Sequence, residues 1–347
     1  MGATDNRIFP LAEPAEVDIR RIEQELDELW RRAAEHEQGA VMRAAAFTLI
    51  YAMRDLPDGG AASQMLVSLT ESHPCRMLLL RLNDTADQPA QQAWVTSFCH
   101  RPSADAPPVC NDFITMDYHA TDPALVASAV MSVLLPGLPS VLIWDSSLSV
   151  QDPLLELIGR RMKRVIVSAI PPCGPASALA EFFRIEARLG ERPVVTDLAE
   201  SLLRPWQVEI ARLFDEPAGA ARAINEIRFL YDEAKIPADL LLLGAWMSSA
   251  LSWERPRIVL QGTHPTILFE GGRSLVFCRD ALRQGGPAVI FRGRPDDAAA
   301  GITSEEPPGD NRLQSLILQE LTIWERSPLR EVQMRRARAW LNELLFA

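Results

Sequence analysis

Three short constellations in this sequence could do chemistry. Cys99 and Cys110 bracket a proline-containing loop, residues 100–108, and sit symmetrically about it. If the flanking runs 93–99 and 113–118 pair as a hairpin, the two cysteines face each other across it, near enough for a thiol pair. That chemistry would be redox; the plainer role is two small apolar side chains at a strand end. The run His73-Pro74-Cys75-Arg76 joins a helix-like segment to an apolar strand-like one. Arginine and histidine at a strand edge can grip a phosphate or a partner's carboxylate. Equally, they can serve the dipole and last carbonyls of the preceding helix. Trp144-Asp145 ends a third apolar run, at the kind of position where open α/β sheets place their ligand crevices. A lone Asp there needs a placed partner group before it can do acid–base work.

The usual fingerprints of catalysis are absent. No GxGxxG follows a strand-like run, and there is no GxxxxGK[ST] for phosphate cradling. HExxH, GxSxG and the kinase signature set are missing too. The five histidines are scattered, and Cys99, His100, Cys110 and His119 have a spacing that fits no structural zinc site. The expectation is therefore no catalytic residue, no metal and no cofactor, with protein binding as the purpose. A rival reading is a sugar-phosphate or nucleotide crevice near His73, Arg76 and Asp145.

The elements that must position these residues follow from periodicity. Residues 17–36 place Ile19, Ile22, Leu26, Leu29, Trp30 and Ala33 at helical spacing. Strand-like runs at 42–53, 77–82, 93–99, 113–118, 140–144 and 164–168 alternate with helix-like segments at 62–71, 123–135 and 153–160. Pro57-Asp58-Gly59-Gly60 reads as a turn. This alternation predicts an α/β fold, a mixed and partly parallel sheet with flanking helices. The prolines and glycine of 171–175 mark the boundary between an N-terminal domain, 1–170, and a C-terminal domain, 171–347. Beyond it, helices are expected at 176–189, 205–214 and 238–253, with strands at 225–231, 258–260, 266–270 and 273–278. Gly271-Gly272 is a two-residue hairpin signal. Residues 288–291 extend this small antiparallel sheet, making the second region α+β. The stretch 293–310 reads as a polar mobile segment, and two helices, 312–325 and 328–345, finish the chain.

Composition narrows the partners. The chain has 347 residues, 48% hydrophobic and 23% charged, enough for a sizeable core without metals or disulfides. A net charge of −11 disfavours nucleic acid, which needs a basic surface. No apolar run reaches the length of a membrane span, and residues 1–10 lack the pattern of a signal peptide. A cytoplasmic location is expected, and with it five free thiols, since their number is odd and there is no CxxC.

Taken in order, four segments resemble one family, the glucose-6-phosphate dehydrogenase assembly protein OpcA. They are His73-Pro74-Cys75-Arg76, similar to the family's HPxR, and the stretch from Leu134 to Trp144. The third runs from Asp197-Leu198 through Pro205-Trp206 to Phe214-Asp215, and the fourth from Leu242 to Trp253. The resemblance spans about residues 17–260, and Cys99 and Cys110 fall where the family tends to carry cysteines. Three positions depart from the pattern: Asp145 and Glu200 stand where the family has Trp, and Gln207 where it has Arg. The resemblance implies a non-catalytic role: assembling or allosterically activating glucose-6-phosphate dehydrogenase in the oxidative pentose phosphate pathway. In some members that role is redox-linked, which makes the cysteine pair relevant. Trp144 and Trp206, near loops, then become candidate partner anchors, since Trp is enriched at interface hot spots, with His73, Arg76 and Asp145 beside them. Core packing is the competing role for both tryptophans.

Overall fold

The computed structural model describes residues 8–36, 42–54, 59–83, 90–103, 106–119, 121–171, 174–204, 207–208, 211, 226–230, 238–252, 257–261, 266–268, 274–278, 288–292, 300–302, 312–322, 325 and 327–346. The chain divides into two units. The first comprises Met1–Ser168, Glu186–Thr196 and Leu313–Trp324; the second comprises Ala169–Ile185, Asp197–Arg312 and Glu325–Ala347.

The first unit is built on a ten-stranded sheet. Its strands are β1 (Phe9–Pro10), β2 (Ala15–Val17), β3 (Met42–Arg43), β4 (Thr48–Arg54), β5 (Arg76–Asn83), β6 (Ala90–His100), β7 (Val109–His119), β8 (Ser140–Trp144), β9 (Arg164–Val167) and β10 (Val194–Asp197). They lie in the order β1-β6-β7-β5-β4-β8-β9-β10, with β2 also on β6 and β3 also on β7. From β7 through β5, β4 and β8 to β9, every pairing is parallel. The strands β6 and β7 form an antiparallel hairpin along their full lengths. The parallel strands are continuous apolar runs such as Ser140–Trp144, every residue of which is buried, as expected of a sheet covered on both faces.

Helices connect the parallel strands. After a single helical turn, Ile19–Arg21, α1 runs from Ile22 to His36. Gly59–Leu69 forms α2, Pro123–Ser132 forms α3 and Pro153–Gly159 forms α4. The last two start alike: Asp122 and Asp152 each accept from a backbone N–H two residues on, and a proline occupies the first turn, where its missing N–H costs nothing. Gly59 and Gly60 belong to α2 itself, not to the expected turn, whose first half, Pro57-Asp58, lies outside the described residues. Chain order and strand order together define a doubly wound sheet. From β4 the chain moves outward to β5 and β7, then returns to the other side of β4 as β8 and continues to β9. The winding reverses between β4 and β8.

Burial in this unit includes charge. Arg164, on β9, is paired with Glu320, which also accepts from the Thr196 hydroxyl at 2.9 Å. Glu320 lies on α8 (Arg312–Leu321), numbered after α5 (Ser177–Leu189), α6 (Leu198–Leu202) and α7 (Ala238–Ala250).

In the second unit, Asp197 caps α6 in a capping box with Glu200. The Asp197 carboxylate also accepts from the backbone N–H groups of Ala169 and Ile170, at 2.7 and 3.1 Å. Glu200 is held in turn by Arg330 of α9 (Pro328–Phe346) at 2.7 and 2.8 Å. Helix α7 is buried almost all round and packs on α9, where the Arg336 guanidinium donates to the Ser248 carbonyl at 2.9 Å. Six strands form a separate sheet: β11 (Glu226–Leu230), β12 (Arg257–Gln261), β13 (Thr266–Leu268), β14 (Ser274–Cys278), β15 (Ala288–Arg292) and β16 (Ala300–Ile302). Two details differ from the sequence reading. The β11–β12 pair is parallel, so this sheet is mixed, not wholly antiparallel. The stretch expected to be mobile contributes β16, paired with β15. The expected helix at 205–214 falls mostly outside the described residues.

Candidate functional site

Arg76, the first residue of β5, is 2% exposed. Its five N–H groups meet five acceptor contacts. The Asp112 carboxylate accepts at 3.1 and 2.9 Å, Glu23 accepts two bonds from the terminal nitrogens, and the Val133 carbonyl accepts at 3.0 Å. Asp112, on β7, is a hub. It also accepts from Trp30 Nε1 at 2.9 Å and from Arg43 at 3.2 and 2.7 Å. The Arg43 guanidinium lies 5.4 Å from the centre of the Trp30 ring, a cation–π arrangement. Next to Arg76, the Cys75 N–H donates to Asn111 Oδ1 at 3.0 Å. The arginine of the His73–Arg76 run thus grips carboxylates of its own chain, tying α1, β3, β5, β7 and the end of α3 together. His73 itself is half-buried, burial lowers its pKa, and its backbone N–H closes on the Leu69 carbonyl at the end of α2.

The other end of the sheet is organised by Asp145. Its Oδ2 accepts from the Tyr51 hydroxyl at 2.8 Å, and its Oδ1 from the Ser147 N–H at 2.8 Å. Burial, and then the neighbouring Asp145 charge, push the Tyr51 pKa up, so the phenol stays a donor. The Asp145 N–H bonds the Ala52 carbonyl, and Arg54 donates to Ser147 through its backbone and side chain at 2.9 and 3.2 Å. These bonds bridge β4 and the exit of β8, the place where the winding reverses and where doubly wound sheets hold ligands.

The rival crevice is not assembled. Arg76 pairs in register with Thr48, and Trp144 with Ala52, four residues further along β4. At about 3.3 Å per residue that separates the two levels by roughly 13 Å. Arg76 and His73 therefore sit at the N-terminal edge of the parallel strands and Asp145 at the C-terminal edge.

Trp144 is wholly buried, its Nε1 donating to the Ser149 carbonyl at 3.2 Å. A substitution there reports on folding before anything else. Trp206 lies outside the described residues. Cys99 and Cys110 are opposite one another in the hairpin register and are joined by a disulfide. The expectation of free thiols fails for this pair because cross-strand neighbours meet whatever the chain's total cysteine count. Cys75 is free and buried, and burial pushes its thiol up. No cluster of three or more metal-ligating side chains occurs among the described residues, and no helix there is long and apolar enough to cross a membrane.

A groove of about 1190 Å³ opens elsewhere on the first unit. One wall is residues 16–20 and 22–24; the other is the face of α3 that carries Leu125, Ser128, Ala129 and Ser132. Gln91 and Tyr118 also line it. Tyr118 is 2% exposed, and its hydroxyl has no hydrogen-bond partner among the described residues. Burial pushes the Tyr118 pKa up to about 12. Neither this groove nor the Asp112 hub is visible in the sequence reading. The only trace of the hub is Asn111-Asp112 at the head of an otherwise apolar run, and the groove draws on four separate segments.

The fold and these two edges define a doubly wound α/β protein whose sheet ends are closed by its own side chains. Residues 67–184 of it match the family model described as the glucose-6-phosphate dehydrogenase subunit N-terminal domain. Three curated relatives carry the name "Putative OxPP cycle protein OpcA". That of Synechococcus elongatus is 25% identical over 70% of this chain and 54% of its own length. The Synechocystis protein is 26% identical over 63% and 45%, and the Nostoc punctiforme protein 24% identical over 52% and 39%. The chain is thus similar to these OpcA proteins, the family that the four sequence segments resemble. The chain spans about half the length of the curated relatives it matches, or less.

Proposed function

We propose that this chain is a non-catalytic accessory protein that assembles or allosterically activates glucose-6-phosphate dehydrogenase, in the cytoplasm, at the entry to the oxidative pentose phosphate pathway. The observation that carries this reading is the match of residues 67–184 to a family model named for that dehydrogenase's subunit domain. The geometry supports it in one respect. The groups that could have served a small-ligand crevice are engaged internally: Arg76 by Asp112 and Glu23, Asp145 by Tyr51 and Ser147. A partner would then contact exposed surface, with His73 and Asp145 as half-buried contributors, while Arg76 and Trp144 act from beneath it. The Cys99–Cys110 pair is the candidate through which oxidation state would reach the domain.

The test is a dehydrogenase assay with and without this protein, together with co-purification of the two chains. The expected outcome is a rise in dehydrogenase turnover and a stable complex, with no turnover of glucose 6-phosphate and NADP by this chain alone. Turnover by this chain alone, or a dehydrogenase indifferent to it, overturns the reading.

A further inference from the structure

The groove between residues 16–24 and α3 has properties that a merely irregular surface lacks. Its first wall carries the carboxylates of Glu16, Asp18 and Glu23, of which Asp18 is paired with Arg20 and Glu23 with the buried Arg76. Arg20 bonds Asp18 at 2.9 Å and holds its carboxyl down to about 2, so the two stay charged and paired, and Glu16, which accepts from Gln92 at 3.5 Å, supplies the excess negative charge of that wall. The opposite wall offers Leu125, which is 49% exposed, and beside it small residues that keep the groove open. At the lining, the buried Tyr118 hydroxyl is a donor with no acceptor among the described residues. A buried unpartnered polar group costs stability, and a bound acceptor would relieve that cost.

We propose that this groove is the docking site for a basic, extended segment of the dehydrogenase, an inference that rests on the accessory reading above. The volume of about 1190 Å³ exceeds what most small-molecule pockets enclose and suits a length of chain. An extended segment brings backbone carbonyls, one of which accepts from Tyr118. Its lysines or arginines face Glu16 and Asp18, and an apolar side chain covers Leu125. Glu23 remains committed to Arg76, so it shapes the wall without giving up its ion pair. Charge complementarity selects this occupant, because a net charge of −11 steers basic surfaces toward the chain and repels acidic ones.

The experiment uses the full chain and the intact dehydrogenase. Tyr118→Phe removes the orphaned hydroxyl, and Ser128→Trp fills the groove from the α3 side. Affinity for the dehydrogenase and the melting temperature are measured for each. Tyr118→Phe is expected to melt at or above the parent temperature while binding several-fold more weakly, a combination that a structural role for Tyr118 does not produce. Ser128→Trp is expected to weaken binding at least tenfold with little change in melting. A photocrosslinking residue at position 128 keeps the question answerable if either variant misfolds, with the same residue at the exposed position 157 of α4, outside the groove lining, as control. A crosslink from 128 to a lysine- or arginine-containing dehydrogenase segment is the supporting outcome. If the parent protein activates the dehydrogenase but both variants bind normally and position 128 gives no crosslink, the groove is wrong and the accessory reading survives. A crosslink to a second copy of this chain would make the groove a self-association surface and overturn the proposal. A parent protein that neither binds nor activates the dehydrogenase removes both.

Discussion

At the N-terminal edge of the parallel sheet, one buried carboxylate, Asp112, collects Arg76, Arg43 and Trp30, and a disulfide joins the hairpin two residues away. At the C-terminal edge, Asp145 is only half-buried and is matched by a neutral phenol and a backbone N–H. The first arrangement centres on a buried ion pair, Arg76–Asp112, flanked by the more exposed Glu23 and Arg43, and removal of either buried partner leaves the other as an uncompensated buried ion. The second is a local turn in partial contact with solvent, where water can take over a lost bond. The His73–Arg76 run thus locks the fold through Arg76, whereas the edge where doubly wound sheets hold ligands is closed by weaker, replaceable bonds.

The sharpest way to break this comparison is Asp112→Ala. Arg76 would keep Glu23 but lose its buried partner, and Trp30 and Arg43 would lose an acceptor. A loss of about 3–5 kcal/mol is expected, read from urea or thermal unfolding. A loss below about 1 kcal/mol would mean the cluster is no more than a surface pair.

A smaller effect is expected from reducing the Cys99–Cys110 bond, whose closed loop has a sequence separation of 11. Loop-closure entropy puts its contribution at about 3 kcal/mol. Melting with and without reductant measures it, and mass spectrometry of unreduced protein should recover a peptide joining the two positions. Free thiols at both positions in unreduced protein would reject the redox role and leave the accessory role standing.

The smallest effect belongs to the C-terminal edge. Tyr51→Phe removes one hydrogen bond to a carboxylate that retains the Ser147 N–H and access to water, at a cost of about 1 kcal/mol. If instead Tyr51→Phe costs as much as Asp112→Ala, the two edges are equally committed and the contrast between them disappears.

By itself the sequence determined the alternation of strands and helices in the first unit, since continuous apolar runs and proline-started helices are local signals. It also determined the hairpin that brings Cys99 and Cys110 opposite, because symmetry about a loop fixes register when the strands pair. The four collinear segments carried the family resemblance for the same reason: each is short and contiguous. What lies in no contiguous stretch stayed hidden. The strand order that parts Arg76 from Asp145, the burial of Trp144, the meeting of Asp112 with Arg43 and Trp30, and the groove with its orphaned Tyr118 hydroxyl were all decided by tertiary structure. Whether an arginine at a strand edge faces a partner or an internal carboxylate depends on which element lies across from it. A run of four residues holds no information about a partner 36 positions further along the chain.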